Sequence, residues 1–201
     1  VYDNDSQKLG AFCKYNLKDA ELTYKLATSL MPNIIELVKV VGLPIYDLSR
    51  MGFSQLVEWY LIKRARDFNK LIPNKPSHEE VMVRRSKTFK GAFVYKPKPG
   101  LYKDIIVFDF RSLYPTIISS YNISPDTLDC SCCERAGNIP GEKYWFCKKR
   151  KGFISTVIGD VITRRMRIKE IIKTKKESKI LFARQYALKT IANAMYGYLG
   201  F

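Results

Sequence analysis

The feature that most constrains this chain is the stretch "IIVFDFRSLYPTII", residues 105–118. Ile105, Ile106, Val107 and Phe108 form an unbroken β-branched and aromatic run, the pattern of a strand buried on both faces. Pro115 falls in the first turn of a helix that starts near residue 113, where its missing N–H costs nothing. Asp109 therefore closes the predicted strand and precedes free helical amides. Such a carboxylate either caps the helix or holds a divalent cation while the amides hold phosphate oxygens. Either way, Asp109 is expected at the buried end of a strand.

Around this point the apolar spacing predicts further elements. Residues 16–41 read as helical, with Leu17, Ala20, Leu22, Leu26, Leu30, Ile34, Ile35 and Val38 at three- and four-residue steps and a break or kink at Pro32. A second helix is expected over 47–68, with Asp47 or Ser49 as its cap. "LIPNKPSHEE" reads as a linker in which His78 is simply solvated. Strand-like pieces at 91–96 and 104–110 flank "KPKPG". After the helix at 113 comes a long loop, and then helices over 155–175 and 177–199, an antiparallel hairpin in the simplest case.

Composition narrows the partners. Of 201 residues, 46% are hydrophobic and 13% aromatic, which suits a folded chain. No apolar run approaches the roughly 18 residues of a membrane span, so no membrane-spanning segment is expected. The N-terminal "VYDNDSQKLG" lacks both an initiating Met and the pattern of a signal peptide, so the chain reads as an internal piece of a longer one. The formal net charge is +16, and residues 141–201 hold 15 Lys/Arg against 4 Asp/Glu. That asymmetry points to a polyanion, nucleic acid or phosphates first and an acidic membrane surface second.

Cys13 stands alone, whereas Cys130, Cys132, Cys133 and Cys147 cluster in the long loop. Zinc, a local disulfide such as Cys133–Cys147, and free thiols all remain open.

"KTIANAMYGYLG" carries Lys189, Asn193 and Tyr196 at i, i+4 and i+7, on one helix face. A lysine, an amide and an aromatic in line can meet a phosphate and a planar base, although an ordinary amphipathic helix end has the same pattern. Gly197 and Gly200 allow close backbone approach. In a hairpin, Arg165 and Lys169 of the preceding helix reach towards Lys189, while Lys175 and Lys176 read as a solvated face.

The two stretches in this order resemble the family B DNA polymerases, above all the archaeal replicative kind. "DFRSLYPTII" is similar to their motif A. "KTIANAMYG" is similar to their Kx3NSxYG motif B, with Ala194 in place of the usual Ser. "FKGAFV" (89–94) resembles the YxGG/A motif between exonuclease and palm, with Phe89 for Tyr. "YNLKDA" (15–20) resembles the third proofreading-exonuclease motif, Yx3D.

The resemblance implies an α+β fold with a partial palm sheet, a two-helix antiparallel fingers hairpin and a helical exonuclease remnant. It divides the chain into the end of a 3′–5′ exonuclease and its helical linker (1–72), the first part of the palm with motif A and the cysteine insertion (73–150), and the fingers with motif B (151–201). It implies template-directed DNA synthesis with two Mg²⁺ ions, Asp109 being one of two carboxylate ligands. Phe110, Ser112 and Leu113 would contact metal and triphosphate through the backbone, and Tyr114 would pack against the sugar. Arg165 and Lys189 would grip the triphosphate, supported by Asn193, with Tyr196 lining the nascent base pair. Asp19 would bind an exonuclease metal and Tyr15 orient its water, while Gly91, Ala92 and Gly197 would approach DNA. Expected partners are primer-template DNA, dNTPs, the remainder of the polymerase chain with its second palm aspartate and thumb, and a sliding clamp. The expected location is the cytoplasm, at the nucleoid. The family's DTD motif and its first two exonuclease motifs, with their DxE carboxylates, do not occur here, so the chain alone is expected to be inactive. A non-catalytic DNA-binding relative and a protein-primed viral or plasmid polymerase are the alternatives.

Overall fold

The computed structural model describes residues 6–87, 91, 93–133, 139, 143–174 and 178–199. Among them run seven helices: α1 (Ser6–Val41), α2 (Ile45–Arg50), α3 (Phe53–Asp67), α4 (His78–Ser86), α5 (Leu113–Ser120), α6 (Phe153–Thr174) and α7 (Lys179–Leu199). None is long and apolar enough to cross a membrane.

The core lies where α1, α3, α5, α6 and α7 meet. Val157, Ile158 and Val161 of α6 recur at three- and four-residue steps, as do Leu188, Ile191, Ala192 and Met195 of α7, so each helix carries one apolar stripe. The stripes close on each other and on Leu56, Val57, Tyr60 and Leu61 of α3, Ile118 of α5 and Val41 of α1. A buried aliphatic side chain of this size contributes about 1.5–3 kcal/mol, which makes this seam the main cohesive element.

α1 does not break at Pro32 but continues through it to Val41. Proline deletes a single backbone hydrogen bond there, and the following residues are held from outside: Ile34, Leu37, Val38 and Val40 pack against the core. Gly42 then ends the helix at φ 86°, its N–H donating to Val38 O at 2.7 Å, a left-handed stop that suits glycine. At 1.5 Å per residue α1 is about 54 Å long, and its residues 8–32 are exposed. The expected helix over 47–68 is two helices, α2 and α3, parted at Met51–Gly52. The expected linker contains α4, whose N-terminus is a capping box: Ser77 Oγ accepts from Glu80 N–H (3.2 Å) and Glu80 Oε2 accepts from Ser77 N–H (2.8 Å). His78 is the first residue of that helix and is exposed.

The α+β expectation, with its partial palm sheet, is overturned. No strand occurs among the described residues, and the β pairing there is an isolated antiparallel bridge, Leu128 to Phe146. Ile105, Ile106, Val107 and Phe108 are 65%, 75%, 85% and 88% exposed, and Asp109 is exposed with them. Strand propensity acts only through a neighbour that accepts and donates the ladder hydrogen bonds. No described segment pairs with 104–110, so the run is exposed and unpartnered, and Asp109 is not at a buried strand end. Phe93, Val94 and Tyr95, in the other expected strand, are likewise exposed, whereas Phe89 and Ala92 lie outside the described residues.

One charged contact ties α1 to α7. The Glu36 side chain is 3% exposed and accepts from Arg184 Nε at 2.7 Å and from Lys39 Nζ at 2.7 Å. Burial pushes its carboxyl up, but the bonds from Arg184 and Lys39 outweigh burial and leave the pKa below its ordinary value. A depressed folded-state pKa stabilises the fold above the unfolded value and loses that contribution as pH falls through the folded one. Acid titration should therefore weaken the fold as pH drops below about 4.5, the ordinary glutamate value. Arg184→Met should cost about 1.5–3 kcal/mol by urea denaturation, because it strips one of two charged partners from a buried carboxylate. Adding Glu36→Gln should recover much of that loss; an additive double mutant would mean the pair does not couple.

Candidate active site

Four of the residues singled out in the sequence, Ser112, Tyr114, Arg165 and Tyr196, come together where α5, α6 and α7 meet. Ser112, immediately before α5, sits at φ 51°, a left-handed conformation uncommon for a residue with a Cβ. Its hydroxyl accepts from Arg165 Nη1 of α6 at 3.1 Å, and Arg165 Nε donates to Gln185 Oε1 of α7 at 3.3 Å. One guanidinium thus links all three elements. Burial, and then the neighbouring Arg111 charge, pulls the Arg165 pKa below its ordinary value without removing the charge. Two cations face each other there, an arrangement that an anion would relieve.

Beside them Tyr114 of α5 and Tyr196 of α7 stack with ring centroids 3.9 Å apart and planes 12° from parallel. The Tyr114 neighbourhood, followed by desolvation, raises the Tyr196 pKa. Asn193 and Lys189, one and two turns earlier on α7, are exposed. Leu113 and Phe110 are exposed too, at 40% and 77%. Gly197 is half-buried, and a Cβ there would meet nothing within 4 Å. Gly91 is exposed, while Ala92, Gly200, Lys175 and Lys176 lie outside the described residues.

Two residues that the sequence reading passed over belong to this surface. Gln185 is one turn before Lys189, so the same face rule that selected Lys189, Asn193 and Tyr196 selects it. Arg111, whose Nη1 lies 3.7 Å from Met166 Sδ, adjoins Asp109 in sequence and Arg165 in charge.

Asp109 itself is exposed and stands apart from any cation shell. The described residues contain one group of three or more His, Cys, Asp or Glu close enough to share an ion, and it is the four cysteines. A Mg²⁺ ion needs about six oxygen ligands, so one carboxylate does not fit it unaided. Tyr15 and Asp19 are exposed on the outer part of α1, remote in sequence from the core end of that helix.

The Sγ atoms of Cys130, Cys132, Cys133 and Cys147 all lie within 4.8 Å of one another, and all four are free thiols. The backbone N–H of Arg150, opposed by burial, holds the Cys147 thiol down to about 6. Hydrogen bonding with Cys147, Cys130 and Cys133 pushes Cys132 up to about 12. Hydrogen bonds link these thiols, and the group can offer thiolates to a metal.

A strained serine, a half-buried arginine and two stacked aromatics thus lie together on converging helices. Comparison with known proteins gives that surface its family: the profile of DNA polymerase family B matches residues 44–201. The chain is 40% identical over 191 residues to DNA polymerase 1 of Pyrococcus abyssi, covering 94% of this chain and 25% of that protein. The same figures hold for the DNA polymerase of Thermococcus gorgonarius. Among solved structures it is similar to the family B DNA polymerase of the hyperthermophilic archaeon Pyrobaculum calidifontis, with a TM-score of 0.73 at 35% identity. That match covers 98% of this chain and 26% of the other. The chain belongs to DNA polymerase family B and spans about a quarter of the length of these relatives.

The tyrosine stack is open to direct measurement. In a double-mutant cycle with Tyr114→Leu and Tyr196→Leu, read by denaturant unfolding, the coupling should be about 1 kcal/mol, the usual scale for a paired aromatic contact. Strictly additive losses would mean the rings do not stabilise each other.

Proposed function

We propose that this chain forms the nucleotide-binding part of a polymerase that carries out template-directed DNA synthesis, transferring a nucleotide from a dNTP to a primer 3′-hydroxyl. The observation that carries the reading is the meeting of Ser112, Tyr114, Arg165 and Tyr196 across more than 80 residues of sequence, in an arrangement held by Arg165. Phosphoryl transfer needs positioning and charge neutralisation more than covalent chemistry, and this surface offers both.

In the proposed site Arg165 and Lys189 take the triphosphate. Asn193 supports them, and the backbone of Phe110, Ser112 and Leu113 faces its oxygens. Tyr114 lies against the sugar and Tyr196 against the nascent base pair. Asp109 is one carboxylate ligand of a Mg²⁺ pair, completed by a second carboxylate from the rest of the polymerase. The ions would neutralise charge on the transferring phosphate when bound. Tyr15 and Asp19 are assigned to a proofreading exonuclease, and Gly91, Ala92 and Gly197 to close approach of DNA. The proposed divisions are 1–72 for exonuclease end and linker, 73–150 for palm and 151–201 for fingers. Primer-template DNA, dNTPs, the remaining polymerase segments and a sliding clamp are the proposed partners, at the nucleoid in the cytoplasm.

Two measurements test this. The chain should bind primed DNA in an anisotropy titration, and weaken by about tenfold or more between about 50 and 200 mM salt, because lysines and arginines displace counterions. Salt-independent binding would contradict the electrostatic basis. In a complete polymerase carrying this chain, Lys189→Ala should lower kcat/KM for dNTPs by about 100-fold, the scale on which a donor to developing charge is lost. Affinity for primed template should change by no more than about twofold, since the lysine faces the triphosphate. An unchanged kcat/KM would remove Lys189 from the site.

A further inference from the structure

The loop between α5 and α6 carries a second site that the polymerase reading does not use. Cys130 and Cys147 are buried, Cys133 is half-buried and Cys132 faces solvent. Sγ–Sγ separations are 3.1 Å (Cys130–Cys133), 3.8 Å (Cys132–Cys133), 3.5 Å (Cys132–Cys147) and 3.5 Å (Cys133–Cys147), with every pair inside 4.8 Å. Four thiolates around one tetrahedral zinc at a Zn–S distance of about 2.3 Å stand about 3.8 Å apart, so the cluster has the size of a mononuclear S4 site. An iron–sulfur cluster would hold the sulfurs wider, because several irons and sulfides stand between them.

The surroundings suit thiolates. The N–H groups of Lys148 and Arg150 point at Cys133 Sγ and Cys147 Sγ, each at 3.4 Å. Zinc with four thiolates carries a net charge of −2, and Lys148, Lys149, Arg150 and Lys151 follow Cys147 directly in sequence. A disulfide would engage two of the four sulfurs and give no reason for the other two to gather with them.

The cluster is also wired to the polymerase elements. Asn122, buried at φ 56° just after α5, donates from Nδ2 to Cys147 O (2.6 Å) and Arg150 O (2.9 Å). Its Oδ1 accepts from Gly152 N–H (2.8 Å) and Ser155 Oγ (2.6 Å) at the start of α6. Trp145 Nε1 donates to Cys130 O at 3.1 Å. We propose that Cys130, Cys132, Cys133 and Cys147 bind one structural Zn²⁺ ion that fixes the turn joining α5 to α6, and through Asn122 the registry of Ser112 and Tyr114 against Arg165.

The experiment is zinc reconstitution of the reduced chain, with metal and thiols counted on the same sample. One equivalent of Zn²⁺ should bind, four of the five thiols should be protected until the metal is chelated, and Co²⁺ should give the intense visible absorption of a tetrahedral tetrathiolate. Removing the metal should change Trp145 fluorescence in a Trp59→Phe background and lower the Tm. Cys132→Ser, at the exposed ligand, should keep the helical circular dichroism while weakening zinc by about tenfold or more, since a ligand is lost from the shell. Cys13→Ser should leave stoichiometry and affinity unchanged. Failure of a folded, reduced chain to take up zinc, two thiols missing with no metal bound, or unchanged zinc affinity in Cys132→Ser would each overturn the proposal.

Discussion

The arrangement of the functional face depends on the apolar seam between α6 and α7. Val157, Ile158 and Val161 face Ile191 and Met195, and these side chains are at most 1% exposed. Because each contributes on the order of 1.5–3 kcal/mol, the seam fixes how far α6 slides along α7. Arg165 stands one turn beyond Val161, and this register is what sets it opposite Gln185. A slip of one residue would rotate α6 by about 100° and carry the guanidinium away from Ser112. The polar contact is therefore a consequence of the apolar one, and it adds specificity to a geometry that packing already imposes.

Charge is distributed along the same lines. α7 contains Lys179, Arg184 and Lys189 but no acidic residue. Of the carboxylates packed around the core, Glu36 is bonded to Arg184, Asp160 to Arg64 of α3 at 2.5 Å, and Asp126 to Lys70 at 3.1 Å. Each of these pairs joins two separate parts of the chain. Pairing them inwards leaves Arg111, Arg165 and Lys189 without carboxylate partners among the described residues. The positive face thus follows from where the acids are engaged as much as from the +16 net charge. Field from such a face acts on a polyanion before any contact forms.

What the sequence made legible, and what it hid, divides by range of interaction. The start of α5 with Pro115 in its first turn, and the α6 and α7 helices, follow from local periodicity, which a helix satisfies with its own backbone. Uninterrupted passage through Pro32 could not be read locally, because the restraint comes from α1 residues 34–41 docking on the core. The strand at 104–110 was misread for the opposite reason: its β-branched run is real, but a strand exists only with a partner, and none of the described residues supplies one. At the site, one-face spacing groups Lys189, Asn193 and Tyr196, all three exposed on α7. The Ser112–Arg165–Gln185 link spans three elements and has no signature within any one of them. Gathering of the four cysteine sulfurs is equally a tertiary fact: Cys130 and Cys133 are spaced as C-x-x-C, but no second such pair follows, and only the fold brings Cys147 to them.

The tyrosine stack bears on how such a surface would work. On the proposed reading Tyr114 meets a sugar and Tyr196 a base pair, yet here each ring lies against the other at 3.9 Å. A nucleotide placed between them must first part them, giving up about 0.5–1.5 kcal/mol of aromatic contact. A base offers Tyr196 a comparable planar surface in return, so a correctly paired nucleotide recovers most of that cost. One that cannot stack recovers less of it and is penalised relative to the closed pair. The free energy at stake is about a factor of ten in binding, large enough to sharpen selection and small enough not to block it. On the same proposed reading Arg165 is suited to set the balance, because its bond to Ser112 fixes the start of the helix that carries Tyr114, while its charge would draw a triphosphate to the same place.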